Sequence, residues 1–396
     1  MQTQVLPYIR EIRKTGIEFA LLTFEPAGQD ETQFEGYRNK LAAEGIEWHW
    51  LRYHKRFSIL ASGWDILRGT LFVWNFIRRE KPDVLHGRVH MPTLMGSIAR
   101  KLSIHKPRIL FDIRGFFPEE YVDAGTWPAN GFLYNSAKRV ESWLMGESDG
   151  FVVLTENARH LLFPESIDTG ADKLGRPIEV IPCCVDFAKR FSHDTEKLRI
   201  ETRERLCISD RYVVVHLGSL GGLYLTEQIV DFIAVLRQNN SKTFAMILTK
   251  NDSEIVAGML RERGFTESDF LIASVDHYEI QSYLAAGDLA ISFVKAGYST
   301  ASRSPTKIPE YLACGLPVVA NSGVGDVDRQ ITGNGVGVLV HGFASNDYVM
   351  AFEELKQLGN VGSNCVETAR REFDLHSVGR DRYRRIYKRL LSITGA

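Results

Sequence analysis

S-R-S-P-T-K-I-P-E-Y-L-A-C-G-L-P-V-V-A-N, residues 302–321, reads as a short helix stopped by Gly315 and followed, after Leu316 and Pro317, by a buried strand. Ile308, Tyr311 and Leu312 stand at i, i+3 and i+4, the spacing of one helix face turned to a core. Lys307 and Glu310 share a different face. Pro305 and Pro309 fit near the first turn, where a missing N–H costs least. That helix start gathers backbone N–H groups with Arg303, Ser304, Thr306 and Lys307, which suits an anion. Glu310, one turn on, suits sugar hydroxyls. A phosphate site beside a hydroxyl site predicts a nucleotide ligand.

On both sides of this stretch apolar strands alternate with amphipathic helices. Strand-like runs are expected at Phe19–Phe24, Glu47–Trp50, Val84–His86, Ile109–Ile113, Gly150–Leu154 and Glu179–Ile181, with helices near 4–14, 30–44, 64–80, 92–102, 129–146 and 155–162. After a charged stretch to Arg205 the pattern resumes at Tyr212–Leu217, Thr243–Thr249, Phe270–Ser274, Leu289–Val294, Leu316–Ala320 and Gly337–Val340. The alternation predicts an α/β fold of two doubly wound, Rossmann-like parallel-sheet domains facing across a cleft. We divide the chain into residues 1–184, residues 185–376, and a basic amphipathic C-terminal helix in 377–396. Val5, Leu6, Ile9 and Ile12 form the inner face of a first helix that no strand precedes. The neighbouring strands would then lack a ladder partner. A natural start roughly 15 residues upstream, one strand plus its loop, is the expectation.

Composition narrows the function. The chain has 396 residues, 44% of them hydrophobic and 24% charged, as in ordinary globular proteins. A net charge of -1, from 48 basic and 49 acidic residues, argues against nucleic acid as the main partner. Five cysteines with no C-x-x-C pair make neither a disulfide framework nor a zinc site. No apolar run approaches the roughly 18 residues that span a bilayer, and the N-terminus has no signal-peptide pattern. A cytoplasmic location is expected. The segment Trp48–Phe57 interleaves aromatics with cations and suits contact with an anionic lipid surface, such as the cytoplasmic membrane face, or with a bulky acceptor, and a solvated loop is a close alternative.

Three further clusters sit where strands end, the edge at which open α/β sheets bind ligands. His86-Gly87-Arg88-Val89-His90 is either a substrate-facing loop or a solvated one. In F-D-I-R-G-F-F-P-E-E, residues 111–120, Asp112 and Arg114 point to one side of a strand end and Gly115 lets the chain turn. A charge pair placed there is costly unless it is paired or used, with Glu119 or Glu120 as alternative partners. His216 to Tyr224 runs from strand through Gly218, Ser219, Gly221 and Gly222 toward a helix, a loop whose N–H groups suit phosphate, with Lys250 nearby in the same half. Asp326-Val327-Asp328 looks like a metal-binding D-x-D, but at a helix start capping is the better reading.

Together these blocks resemble GT-B glycosyltransferases, in particular the large retaining family 4 group, over nearly the whole chain. P-T-K-I-P-E-Y-L-A-C-G-L-P-V-V-A is similar to that family's donor-site block, which implies that Glu310 holds the ribose hydroxyls. The family pattern has a second Glu eight residues earlier, contacting the donor sugar. Ser302 stands there instead, leaving Arg303 or Ser304 for that contact. The Gly218–Gly222 loop is similar to the family's phosphate loop without its usual Arg and Lys, so neutralisation falls to Lys307, Arg303 or Lys250. Arg114 replaces a His that many members carry near the reacting centre. V-I-P-C-C-V-D-F resembles the family's hinge, and its final helix crosses back to the first domain. The resemblance implies sugar transfer, with retention and without a cofactor or metal, from a nucleotide diphosphate sugar to a glycan or lipid-linked acceptor. Asp112, Arg114 and Lys307 are then the candidate catalytic residues. Gly218, Ser219, Gly221, Gly222, Lys250, Arg303, Ser304, Thr306, Lys307 and Glu310 would bind the donor, and His86, Arg88, His90 and Glu119 would face the acceptor. A sugar-nucleotide epimerase of the same fold and a non-catalytic sugar- or nucleotide-binding protein are the alternatives.

Overall fold

Unbroken apolar runs form strands covered on both faces, and the second half of the chain shows how. Val213 and Val215 of one strand enter one hydrophobic cluster while Val214 between them enters another on the opposite face. The computed structural model describes residues 4–26, 31–54, 58–191, 194–250 and 253–392. Twelve strands occur among them: β1 Ala20–Pro26, β2 Glu47–Tyr53, β3 Val84–Arg88, β4 Arg108–Ile113, β5 Gly150–Val153, β6 Ile178–Val180, β7 Tyr212–Leu217, β8 Thr243–Leu248, β9 Phe270–Ala273, β10 Leu289–Ser292, β11 Val318–Asn321 and β12 Gly337–Val340. Every pairing between them is parallel.

The second sheet has the order β12-β11-β10-β7-β8-β9. Strand order reverses at β7, so the loops after β7 and β10 part there and open a crevice. In the first half β3-β4-β5-β6 form one sheet and β1-β2 another. Among the described residues, β1 is paired only to β2 and β3 only to β4. Leu6, Ile9 and Ile12 of the helix Leu6–Arg13 are buried, as their spacing predicts.

The C-terminal segment, a wide helical turn at Leu375–Arg380 and the helix Asp381–Ser392, packs on the first half of the chain. Tyr383, Ile386, Tyr387 and Leu390 join Leu110, Val152 and Ile181 in one buried cluster. Two chain crossings link the halves side by side, with Val185 N donating to Phe373 O at 2.8 Å and Leu375 N to Val185 O at 3.0 Å. Cys183 and Cys184, just before this crossing, are buried free thiols.

The segment proposed for membrane contact folds differently from a surface loop. Trp48 is 3% exposed and packs edge-on against Phe34 and Tyr37, because β2 turns it inward over the helix Glu31–Ala43. Residues 55–57 of that segment lie outside the described residues.

Candidate active site in the cleft

Lys307 begins a seven-residue helix, Lys307–Ala313, which places its side chain under the loop after β7. It is 5% exposed, and its ammonium has no hydrogen-bond partner among the described residues. Nζ lies 4.5 Å from the centre of the Tyr224 ring. Burial pushes its pKa down to about 7, against the opposing pull of Glu310. Gly218 has φ +113°, and an added Cβ would lie 3.5 Å from Lys307 Nζ. That separation is ordinary van der Waals contact, so it is the positive φ of the turn that calls for glycine.

Glu310, one turn on, is held by Arg190, whose Nη1 is 2.7 Å from Oε1. Burial raises the Glu310 pKa, and the charges of Arg190 and then Lys307 oppose the rise. Arg190 ends the short helix Phe187–Arg190 in a stretch that reads in sequence only as charged linker. No sequence signal pairs it with Glu310. Lys250 is exposed at the end of β8, and His277 feels the charges of both Arg190 and Lys250 after the larger effect of burial.

The glycine loop differs from the expected phosphate cradle. Gly218 N donates to Leu248 O at 2.8 Å, and Gly221 N to Thr226 Oγ1 at 2.8 Å. These donors already have partners inside the fold. Ser219, Gly221 and Gly222 are exposed, and the following helix starts at Thr226. Thr306 is exposed as well, while Ser304 accepts a hydrogen bond from Cys183 N at 3.0 Å across the cleft.

On the facing side Asp112 is completely buried. Tyr383 donates to its Oδ2 at 2.9 Å, His86 and Arg88 lie 3.4 Å from that oxygen, and Arg114 Nη1 is 3.6 Å from Oδ1. Burial alone would raise the Asp112 pKa, but the Arg114, His86 and Arg88 groups outweigh it and hold the carboxyl below the usual carboxylate range. Asp112 is thus a fixed anion that organises cations and is withdrawn from the cleft itself. His86 also meets Tyr387 through Nδ1 at 2.7 Å. Both tyrosines come from the C-terminal helix, so sequence neighbours of Asp112 cannot reveal them. Val89, next to this group, has φ +66°, an uncommon conformation for a β-branched residue.

Two expected acceptor-side residues stand apart. His90 is buried, 3.4 Å from Glu141 and in contact with the Phe111 and Phe117 rings. Glu119 binds Lys138 at 2.9 Å. Neither Glu119 nor Glu120 partners Arg114; Glu120 faces Arg303 at 3.7 Å instead. Ser302, where the donor-site pattern has Glu, is buried and accepts a hydrogen bond from Phe116 N at 3.1 Å. Asp326 caps a helix, as expected, but in the opposite half: its oxygens accept from Glu156 N at 2.7 Å and Asn157 N at 3.1 Å.

Two parallel-sheet halves around such a cleft define a GT-B protein. Sucrose-phosphate synthase from Thermosynechococcus elongatus superposes with a TM-score of 0.65 at 14% identity, over 96% of this chain and 100% of that one. Anabaena HepE, in complex with UDP and glucose, gives a TM-score of 0.64 at 14% identity, over 94% of this chain and 100% of that one. WaaG, a glycosyltransferase involved in lipopolysaccharide biosynthesis, gives 0.60 at 15% identity, over 96% and 100%. At these identities the likeness establishes the fold. Residues 1–168 match the family described as glycosyl transferase 4-like domain. No curated protein sequence matches the chain.

Proposed function

We propose that this protein transfers a sugar from a nucleotide diphosphate sugar to an acceptor hydroxyl, with retention of anomeric configuration. The buried, unpartnered ammonium of Lys307 carries the reading, since leaving it so is costly without an anion to meet it. As the bond from the anomeric carbon to the diphosphate oxygen breaks, negative charge grows on the diphosphate and Lys307 stabilises it. The acceptor oxygen bonds to the same face of the anomeric carbon, and its proton passes to the departing diphosphate. Glu310, braced by Arg190, receives the ribose hydroxyls. Arg114, His86 and Arg88, organised by Asp112, line the acceptor side. Charge neutralisation by fixed cations makes a divalent ion unnecessary in this scheme.

The acceptor in this reading is a glycan or a lipid-linked glycan, met at a membrane surface by the helix Ser58–Glu80. Trp64, Leu67 and Leu71 are each about half exposed on one stripe, with Arg78 and Arg79 exposed at its end. Among the described residues no helix is long and apolar enough to cross a membrane. Donor turnover tests the central assignment, with UDP-glucose as the first probe because HepE was solved with UDP and glucose. Lys307→Ala and Glu310→Ala should each abolish transfer and leave the circular dichroism spectrum unchanged, and EDTA should not slow the native protein. Near-normal turnover in both variants refutes the donor site, and arrest by EDTA refutes the metal-free scheme.

A further inference from the structure

Glu120 and Arg303 face each other from opposite halves of the molecule as a charge pair that no hydrogen bond closes. Their nearest atoms, Oε1 and Nε, are 3.7 Å apart, beyond hydrogen-bond reach. Arg303 Nε has no other partner, and among the described residues nothing donates to the Glu120 carboxylate.

Each group is nevertheless fixed. Arg303 lies between Ser302 and Ser304, whose hydroxyls accept from Phe116 N and Cys183 N across the cleft. Gly325 presses on its backbone, where a Cβ would come 1.9 Å from Arg303 O. Glu120 belongs to the helix Phe117–Asp123 and lies over Gly115, where a Cβ would come 2.5 Å from Oε1. Both side chains keep more than a quarter of their surface open, 28% for Arg303 and 29% for Glu120.

A carboxylate and a guanidinium held just too far apart to satisfy each other present acceptors and a donor fork to a third group. Adjacent hydroxyls, each both donor and acceptor, match that pair. Arg303 lies four residues before Lys307 on the strip that follows β10. The group next to a diphosphate at Lys307 is the sugar joined to it. We infer that Glu120 and Arg303 bind the hydroxyls of the transferred sugar, so that donor selectivity is completed by the N-terminal half when the cleft is closed. This assignment rests on the donor reading above. Burial raises the Glu120 pKa, and Arg303 only partly opposes it, so the carboxylate stands to gain from hydroxyl donors. A site built for hydroxyls in this way rejects sugars that lack them more strongly than an apolar pocket rejects an extra group.

Calorimetric titration of the full chain with UDP, GDP, UDP-glucose and GDP-mannose separates the two claims. Glu120→Gln keeps the shape and removes the charge, and Arg303→Met keeps the length and removes the fork. In Glu120→Gln, affinity for the sugar-free nucleotide should stay within about twofold of the native value, and in both variants affinity for the sugar-bearing counterpart should fall about tenfold or more. Retained nucleotide binding shows that each variant is folded. Unchanged affinity for the sugar nucleotide in both variants overturns the assignment. A native protein that binds none of the four refutes the donor reading itself, and this assignment with it.

Discussion

Lys307 is placed where stability alone would not keep an ammonium. Its pKa is pushed down to about 7 by burial, whereas an unfolded lysine titrates near ~10.4. Between those values the unfolded chain binds more protons than the folded one, so stability rises with pH across the window and the full penalty applies below it. Lys307→Met should therefore raise Tm at pH 6, by about 1 °C for each kcal/mol relieved if the chain of 396 residues melts as one unit. The same change should abolish nucleotide binding. Anion binding has the opposite sign, because phosphate favours the protonated ammonium. UDP affinity should weaken as pH rises through about 7, at most about tenfold per pH unit, until the pKa of the complex is reached. A melting curve at pH 6 and titrations from pH 6 to 9 check both, and a lower Tm for the variant or a flat affinity profile would contradict the picture. The short helix that carries both Lys307 and Glu310 was legible because helical spacing, prolines and a glycine stop coincide in one short stretch. Arg190 was not, since an ion pair between residues so far apart in sequence leaves no periodicity.

Each of the twelve expected strands is present, with ends that differ by at most three residues, because runs of apolar, often β-branched residues with a helix on either side favour this arrangement in an α/β chain. Side-chain direction was less legible. Trp48 lies on the inner face of β2, and alternating aromatics and cations could not say which of them turns inward. The membrane contact proposed above uses the helix Ser58–Glu80. In S-I-L-A-S-G-W-D-I-L-R-G-T-L-F-V-W-N-F-I-R-R-E apolar residues occupy more than one face, so the sequence does not tell the buried Ile77 from the open Trp64, Leu67 and Leu71. Trp74 lies between them and the end of the stripe, with the Arg78 guanidinium 4.8 Å from its ring centre. Aromatic and leucine side chains with arginines at one end suit an anionic lipid interface. The protein should float with vesicles containing phosphatidylglycerol and stay behind with purely phosphatidylcholine vesicles. Trp64→Glu with Leu67→Glu should abolish the flotation without lowering turnover of a water-soluble acceptor. Flotation that survives the double substitution would place membrane contact elsewhere.

Contacts between the halves concentrate on one strip and one carboxylate. Ala301 O accepts from Thr155 Oγ1 at 2.8 Å, Ser302 and Ser304 accept from Phe116 and Cys183, and Lys295 Nζ donates to Asp123 O at 3.2 Å. All of them leave the C-terminal half on the segment after β10, which also carries Arg303. Asp326 adds a different kind of tie. The helix Glu156–Leu162 has its own cap, Thr155 Oγ1 accepting from Ala158 N at 2.9 Å, while Asp326 satisfies the N–H groups of Glu156 and Asn157 from the other half. Separation of the halves uncovers those two donors and gives them to water, so the cap contributes to the closed form alone. Asp326→Ala should cost the closed form about 1 kcal/mol, the usual worth of an N-cap. That shifts the balance of open over closed about fivefold, and the helix keeps Thr155 and stays folded. Small-angle scattering of the free protein should give a larger radius of gyration for Asp326→Ala, with the native value restored by a saturating nucleotide sugar that bridges the two halves. If Glu120 and Arg303 act on that sugar together, the variant should also lose more affinity for the sugar nucleotide than for the nucleotide alone, since only the former needs both halves in contact. An unchanged radius together with unchanged affinities would mean that other contacts hold the cleft closed and that Asp326 serves the helix only.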